Sequence, residues 1–559
     1  MERIFTVGFS EEIATQLGFP ILEIPNLIDN DIELHDFVIN IFKNNEIDKL
    51  IIDLSSNPVQ NLKLAYHIRL SLVDLGGKSL IPILFSASQS LESLLKNCSK
   101  WIQILTTKGI YFTALNLVKI DVVHIESLKG TDYKTGFLDL IHISSDELQG
   151  KHSVANQWGA FAMDKAAGTN VLFYNETLKK TFSKLYFKFI QAFQFNYGLL
   201  NQQRHAIRYV PVGTPNIVDS KNKRILLIDD EAEKGWDIVL RKIFKNAEFH
   251  VINEKVSSYE AFSPKAKNLI LNGKFDLFLV DLRLNGVQEE DYTPIKNFSG
   301  ANVLTEIKRQ NNGNQVIMFT ASNKAWNIKP LLDLGADAFY IKESPEYLFS
   351  SKISESNYLA FRNDVKICFE KDYLKNIYSN VFALKNRLQI SKASYNQKFL
   401  DEIQVLLYQA FNMHYNAKDD KQHAYSYLTL YMILESLNNQ FFEKRNDDSW
   451  AISDSSFLLD WKWDDKEGIY CNTGTVVKGN KPPEWQKLAG LYFQKWKLAD
   501  SDFIKNIYFL IQKRNGFVHN DEALLNKKNT KGNYVNHDIF NKEGFQDLFK
   551  AVSVLINLL

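Results

Sequence analysis

The chain has little cysteine, little proline, no surplus of either charge and no long apolar run. Its three cysteines, Cys98, Cys368 and Cys471, lie far apart and make neither a CxxC pair nor a zinc spacing. That excludes a disulfide framework and a cysteine-based metal site, and fits a reducing cytoplasm. Twelve prolines among 559 residues, with 45% hydrophobic and 13% aromatic side chains, exclude collagen-like, low-complexity and largely disordered chains. Sixty-six basic against 65 acidic side chains give a net charge of +1, without the phosphate-neutralising surplus of a dedicated DNA-binding protein. No run approaches the roughly 18 to 20 apolar residues that span a bilayer. The opening MERIFTVGFSEEIATQLG has no basic region followed by a hydrophobic block, so neither membrane attachment nor export is expected. At roughly 150 residues per domain, the length predicts three or four domains.

The middle of the chain carries the strongest signal. KNKRILLIDDEAEKGWDIVL is a short apolar run that stops on Asp229 and Asp230 and passes into a helical pattern; KFDLFLVDLRL ends its run on Asp281, NQVIMFTAS on Thr320, and GADAFYIKES on Lys342. β-type runs separated by helix-length sequence predict a doubly wound parallel sheet wrapped by helices. Ligands of such sheets bind beyond the carboxyl ends of the strands, so these five side chains converge on one crevice. Three carboxylates held together require a cation, and an oxygen-only set with an open side suits Mg²⁺. A carboxylate can itself be the nucleophile that becomes an aspartyl phosphate, and Asp281, alone at the end of its run, is the expected acceptor. Asp229 and Asp230 are expected to hold the metal, Lys342 to bind phosphate, and Thr320 to hydrogen-bond a phosphoryl oxygen.

Residues 222–372 resemble the receiver domain of two-component response regulators, on the acid pair, the acceptor, the Thr, the Lys and the GADAFYIK run in family order. The resemblance implies a flavodoxin-like fold and a histidine kinase or phosphotransfer protein as partner. It also implies self-dephosphorylation, a main-chain carbonyl of Arg283 among the Mg²⁺ ligands, and Phe339 as the aromatic that reorients with Thr320. Two positions depart from the family: Glu343 stands where proline usually follows the lysine, and Asn285 where proline usually follows the acceptor by four.

Residues 1–125 repeat the pattern in worn form. DKLIIDLS and IPILFSAS place Asp53 and Ser86 where Asp281 and Thr320 stand in the second copy, but Gly8 and Phe9 occupy the acid-pair positions and KGIYFTAL ends without a lysine. This stretch resembles a pseudo-receiver, an interaction module that is not phosphorylated. Residues 126–220 read as a helical connector. Within it, Leu185, Phe189, Phe193 and Tyr197 recur at steps of four, and the interleaved Lys179, Lys180, Lys184 and Lys188 suggest a solvated face or a surface for nucleic acid or a partner. His152 and Trp158, between Gly150 and Gly159, are expected to pack in a loop.

Residues 373–559 read as all-helical. NQKFLDEIQVLLYQAFNMHY and QHAYSYLTLYMILESLNNQFFE form long helices, and Ile504, Ile507, Ile511 and Val518 make the buried stripe of a later one. That helix carries Arg514, Asn515 and His519 in the string RNGFVH. A guanidinium and an imidazole suffice for metal-free cleavage of RNA, in which the 2′-hydroxyl attacks the adjacent phosphate. Arg514 and His519, about 140° apart on an ideal helix, do not meet on one straight helix; Gly516 loosening the turn, or a second copy of the helix across a two-fold axis, resolves this. The string in its helical setting resembles the HEPN superfamily, which implies a homodimer and a ribonuclease of the kind found in antiviral or stress systems. A non-enzymatic reading, in which the receiver is a phosphate relay or buffer and the flanking domains only bind partners, stands beside it. No helix-turn-helix with a basic recognition helix follows residue 372, so specific DNA binding is not expected.

Overall fold

A computed structural model describes residues 3–24, 31–114, 124–143, 150–172, 175, 184–194, 216–285, 294–320, 325–344, 351–391, 395–453, 456–464, 466–467, 469–519 and 540–559. The chain divides into two compact units, one of residues 1–310 with 315–370, the other of 311–314 with 371–559.

The first unit holds two parallel five-stranded sheets. Strands β1 (Ile4–Val7), β2 (Ile21–Leu22), β3 (Lys49–Asp53), β4 (Ile83–Ala87) and β5 (Ile110–Ala114) lie in the order β2-β1-β3-β4-β5. Strands β6 (Arg224–Ile228), β7 (Glu248–Ile252), β8 (Leu277–Asp281), β9 (Val316–Thr320) and β10 (Ala338–Ile341) lie in the order β7-β6-β8-β9-β10. Each sheet thus runs 2-1-3-4-5 in its own sequence order, the flavodoxin-like arrangement. Every residue of β3, β4, β8 and β9 is buried, because helices cover both faces of a parallel sheet and its strands must be apolar throughout. The register places Asp53 beside Ser86, Asp281 beside Phe319, and Ile341 beside Thr320.

The connector is part of both cores. Leu128, Tyr133, Phe137, Leu138, Ile141 and Ile143 are buried in the N-terminal core, so that domain extends past residue 125. The stretch expected to be a loop around Trp158 is helix Gly150–Ala167, here the connector helix; the side chain of His152 lies outside the described residues. A second helix, Lys184–Gln194, places Leu185 and Phe189 in the N-terminal core and Phe187 in the core of the second sheet. Of its two lysines, Lys188 does not turn to water: it is 5% exposed and bonds to His35 Nδ1 and Ser71 Oγ. The side chain of Phe193, and all of Lys179, Lys180 and Tyr197, lie outside the described residues.

The second unit packs helices Leu374–Ile390, Gln397–Asn416, Asp420–Phe441, Ser501–His519 and Lys542–Asn557 around one core that includes Leu384, Phe411, Tyr427, Leu434, Ile511 and Phe549. It is not all-helical. Strands β11 (Phe442–Lys444) and β12 (Trp450–Ile452) form one antiparallel pair, and β13 (Leu459–Asp464) and β14 (Ile469–Val476) another. Aromatics at alternate positions explain the second: Trp461 is buried with its ring 4.6 Å from that of Phe493, while Lys462 between Trp461 and Trp463 points outward. Among the described residues no helix is long and apolar enough to cross a membrane.

Candidate functional site

Four strand ends of the second sheet build the site. Asp229 and Asp230 follow β6, Asp281 and Thr320 close β8 and β9, and Lys342 follows β10; all five are buried. Lys342 Nζ donates to Asp229 Oδ2 at 2.9 Å and lies 2.8 Å from Asp281 Oδ1. Its third contact comes from outside the strand ends: it donates to Asn156 Oδ1, on the connector helix, at 3.0 Å. An ammonium has three donors, and each has its acceptor. Burial disfavours the charged lysine, but the charges of Asp229 and Asp281 outweigh it and hold the ammonium above its ordinary range.

The acids are left with more charge than one lysine neutralises. Burial, then the charges of Asp281 and Asp229, push the Asp230 carboxyl up to about 7, and burial raises that of Asp281 against the opposing pull of Lys342. Asp229, Asp230 and Asp281 offer one oxygen each within 4.8 Å of one another. Asp230 Oδ2 is buried and meets no hydrogen-bond partner among the described residues. A hard divalent cation answers both the excess charge and the orphaned oxygen, so the donor set fits Mg²⁺.

The other expected residues fall around this cluster. Thr320 accepts through its carbonyl from the Lys342 backbone N–H at 2.7 Å, which locks the ends of β9 and β10 together. The Arg283 backbone N–H donates to Asp281 Oδ2 at 3.4 Å, while its guanidinium lies 5.0 Å above the Phe298 ring. Phe339 is half-buried on β10, beside Met318. Glu343 is buried, its Oε2 accepting from Ser354 Oγ at 2.6 Å; this bond ties the residue after Lys342 to helix Ser351–Glu370. The loop beyond Asn285 lies outside the described residues as far as 293.

Three pocket residues escaped the sequence reading. Asn156 bridges the pocket, donating through Nδ2 to Glu231 Oε2 at 2.6 Å while accepting from Lys342, and Glu231 lies next to the acid pair read from the sequence. Gly300 abuts the end of β8 so closely that a Cβ there would stand 1.9 Å from the Asp281 carbonyl oxygen. A glycine two residues after Phe298, at the start of a helical pattern, was the available signal.

Among the described residues, the N-terminal copy has no such acid cluster. Asp53 Oδ1 accepts from Ser55 N–H at 3.0 Å and Ser55 Oγ at 2.7 Å, so its own loop satisfies that oxygen. Gly8, at φ +78°, lies where a Cβ would meet Asn61 Nδ2 at 2.8 Å. Among the described residues, the three acids of the second sheet are the one set spaced for a metal ion. In the second unit, Arg514 donates to Glu435 Oε1 at 3.1 Å and Asn515 Oδ1 at 3.2 Å, and its guanidinium lies 4.6 Å from the Tyr431 ring. The helix runs unbroken through Gly516 to His519, so the glycine does not loosen the turn; the His519 side chain lies outside the described residues.

Residues 1–113 match the family model described as an inactive receiver domain. No curated protein matches the chain. Among solved structures, the chain is similar to a CheY-like response regulator receiver domain protein from Methanospirillum hungatei, at 23% identity over 26% of this chain and 99% of that one, with a TM-score of 0.17. It is also similar to the receiver domain of the Francisella response regulator 1452, at 20% identity over 25% and 99%, TM-score 0.17. A third is a Burkholderia pseudomallei response regulator with a phosphorylated aspartic acid, at 14% identity over 28% and 85%, TM-score 0.18.

Proposed function

We propose that the chain is a response regulator in which Asp281 accepts a phosphoryl group from a histidine kinase or phosphotransfer protein, and that the modified receiver controls the second unit. One observation carries this reading: a buried lysine bridges the Asp229 and Asp281 carboxylates while an oxygen of Asp230 beside them has no hydrogen-bond partner among the described residues. Asp229, Asp230, Asp281 and the Arg283 carbonyl would hold Mg²⁺, which supplies positive charge against the transferring group. An Asp281 oxygen attacks the donor phosphorus in line, the P–N bond to the donor histidine breaks, and the leaving imidazole takes up a proton. Lys342 pairs with one phosphoryl oxygen, the Thr320 hydroxyl donates to another, and Phe339 reorients as Thr320 moves. Attack of water on the same phosphorus later releases inorganic phosphate and restores the carboxylate. Incubation with radiolabelled acetyl phosphate and Mg²⁺ tests the assignment: the native protein retains label and Asp281→Asn does not. Unchanged label in that variant overturns it.

We assign residues 1–143 to an inactive receiver, the stretch that follows to the connector, residues 222–372 to the active receiver and 373–559 to a HEPN-like domain with two β-hairpins added. Output is RNA cleavage by a cytoplasmic homodimer through Arg514, Asn515 and His519, in phage defence or stress. A second reading rests on the engagement of Arg514 by Glu435 and Tyr431. A guanidinium already paired suits a phosphate relay or buffer whose flanking domains bind partners without cleaving RNA.

A further inference from the structure

The phosphoacceptor pocket contains a residue that its own sheet does not supply. Asn156 is 3% exposed and spends both ends of its amide on the pocket, one on Lys342 and one on Glu231. The connector helix is fitted closely enough to keep it there. A Cβ at Gly159 would stand 3.0 Å from the Trp236 ring and 3.1 Å from the Glu343 carbonyl oxygen, and one at Gly235 would stand 3.2 Å from the Ala160 Cβ. Small residues on both sides thus let this helix approach the loop that carries Lys342. They also account for the glycine at 159.

The same helix leads away from the pocket to the N-terminal sheet. Trp158, two residues on from Asn156, stacks on Phe187 with ring centroids 5.8 Å apart. Phe187 belongs to helix Lys184–Gln194, whose neighbouring residues Leu185 and Phe189 sit in the N-terminal core and whose Lys188 bonds to His35 and Ser71. The route runs by polar contacts from Asp281 through Lys342 to Asn156, along the connector helix to Trp158, and by ring stacking on Phe187 to the helix docked on the N-terminal core.

We propose that Asn156 is a positioning residue of the phosphoacceptor pocket and that the connector helix carrying it reports the occupancy of Asp281 to the inactive receiver. The inference rests on Asp281 being the phosphoacceptor. All three donors of Lys342 are engaged, so the ammonium can bind a phosphoryl oxygen only by releasing a partner. Phosphorylation makes the Asp281 carboxyl a neutral acyl ester but brings a doubly charged phosphoryl group on the same side chain, so the ammonium's attraction to that group and to Asp229 outweighs its bond to the neutral Asn156 amide. Asn156 is therefore released from Lys342 and keeps its bond to Glu231, so the connector helix is held less firmly to the pocket.

Hydrogen exchange of the full chain, with and without acetyl phosphate and Mg²⁺, tests this alongside radiolabel on Asp281. Phosphorylation should speed exchange across 150–167 and 184–194 by about tenfold, the equivalent of roughly 1.4 kcal/mol. Asn156→Leu should exchange at that faster rate before phosphorylation and gain nothing from it, and its label should turn over at a different rate from the native protein's. Asn156→Gln, which keeps a neutral acceptor for Lys342 and a donor for Glu231, should restore the phosphate-dependent difference. Label that depends on Asp281 with exchange of both helices unchanged in the native protein overturns the inference alone. Label that persists in Asp281→Asn overturns the phosphoacceptor reading, and this inference with it.

Discussion

Replacing Lys342 by methionine removes the one ammonium from a group of three buried carboxylates and keeps most of the side-chain volume. In the native pocket that ammonium lies 2.9 Å from Asp229 and 2.8 Å from Asp281 and is 2% exposed. Breaking a buried ion pair by removing one partner costs about 3 to 5 kcal/mol, because the remaining charge is buried without compensation. Here the acids have a partial escape. Asp230 and Asp281, already raised by burial, can take up a proton, so the loss should fall near the lower end of that range at neutral pH. Divalent metal gives a second escape: a ligand at a hundred times its dissociation constant stabilises by about 2.7 kcal/mol. The expected result is a Lys342→Met protein that loses about 3 kcal/mol in its receiver without metal and recovers most of it in saturating Mg²⁺. Hydrogen exchange of β6 and β8 amides measures this within the full chain. Stability within about 0.5 kcal/mol of native without metal, the ordinary range for surface substitutions, would show that the lysine does not compensate the acids.

Three further outcomes follow from the geometry. Gly300→Ala sets a methyl 1.9 Å from the Asp281 carbonyl oxygen, so the acceptor strand must shift; overpacking of this kind costs about 1 to 3 kcal/mol, and the rate of label uptake from acetyl phosphate should fall with it. Burial draws the Lys188 ammonium from its ordinary 10.5 down to about 7. Between those values the open state holds the proton and the closed state does not, so the docking of helix Lys184–Gln194 should strengthen as pH rises, by up to about 1.4 kcal/mol per unit. Exchange corrected for its intrinsic pH dependence should report that slope, and Lys188→Met should abolish it. If the second unit cleaves RNA, Arg514→Ala and His519→Ala should each abolish cleavage while leaving label on Asp281 unchanged; intact RNA with the native protein, phosphorylated or not, would favour the relay reading.

The gathering of Asp229, Asp230, Asp281, Thr320 and Lys342 at strand ends was legible because chemistry restricts residue type there. A parallel sheet covered on both faces needs continuous apolar runs, and LFLVD and VIMFT show them, so an Asp or Thr that ends such a run is conspicuous. Asn156 was not legible. Nothing in KHSVANQWGAFAMDKAAG ties an asparagine to a lysine far along the chain, and the glycines that suggested a loop serve close helix packing instead. Lys188 misled for a related reason: its spacing with other lysines suggested a solvated face, but tertiary contacts with His35 and Ser71 turn it inward. The hairpins of the second unit were hidden because β11 and β12 are short, three residues each, and the alternation of Trp461 and Trp463 is brief beside the long helical patterns around it.

Chemical mapping locates the phosphoryl group that the proposed function puts on Asp281. Borohydride reduces an acyl phosphate to an alcohol, so an aspartyl phosphate is marked as homoserine in the digested chain. After treatment with acetyl phosphate and Mg²⁺, the peptide containing KFDLFLVDLRL should carry homoserine at position 281, and no peptide from residues 1–113 should be marked at Asp53. Homoserine at Asp53, or at neither position in a protein that retains label, would contradict the account.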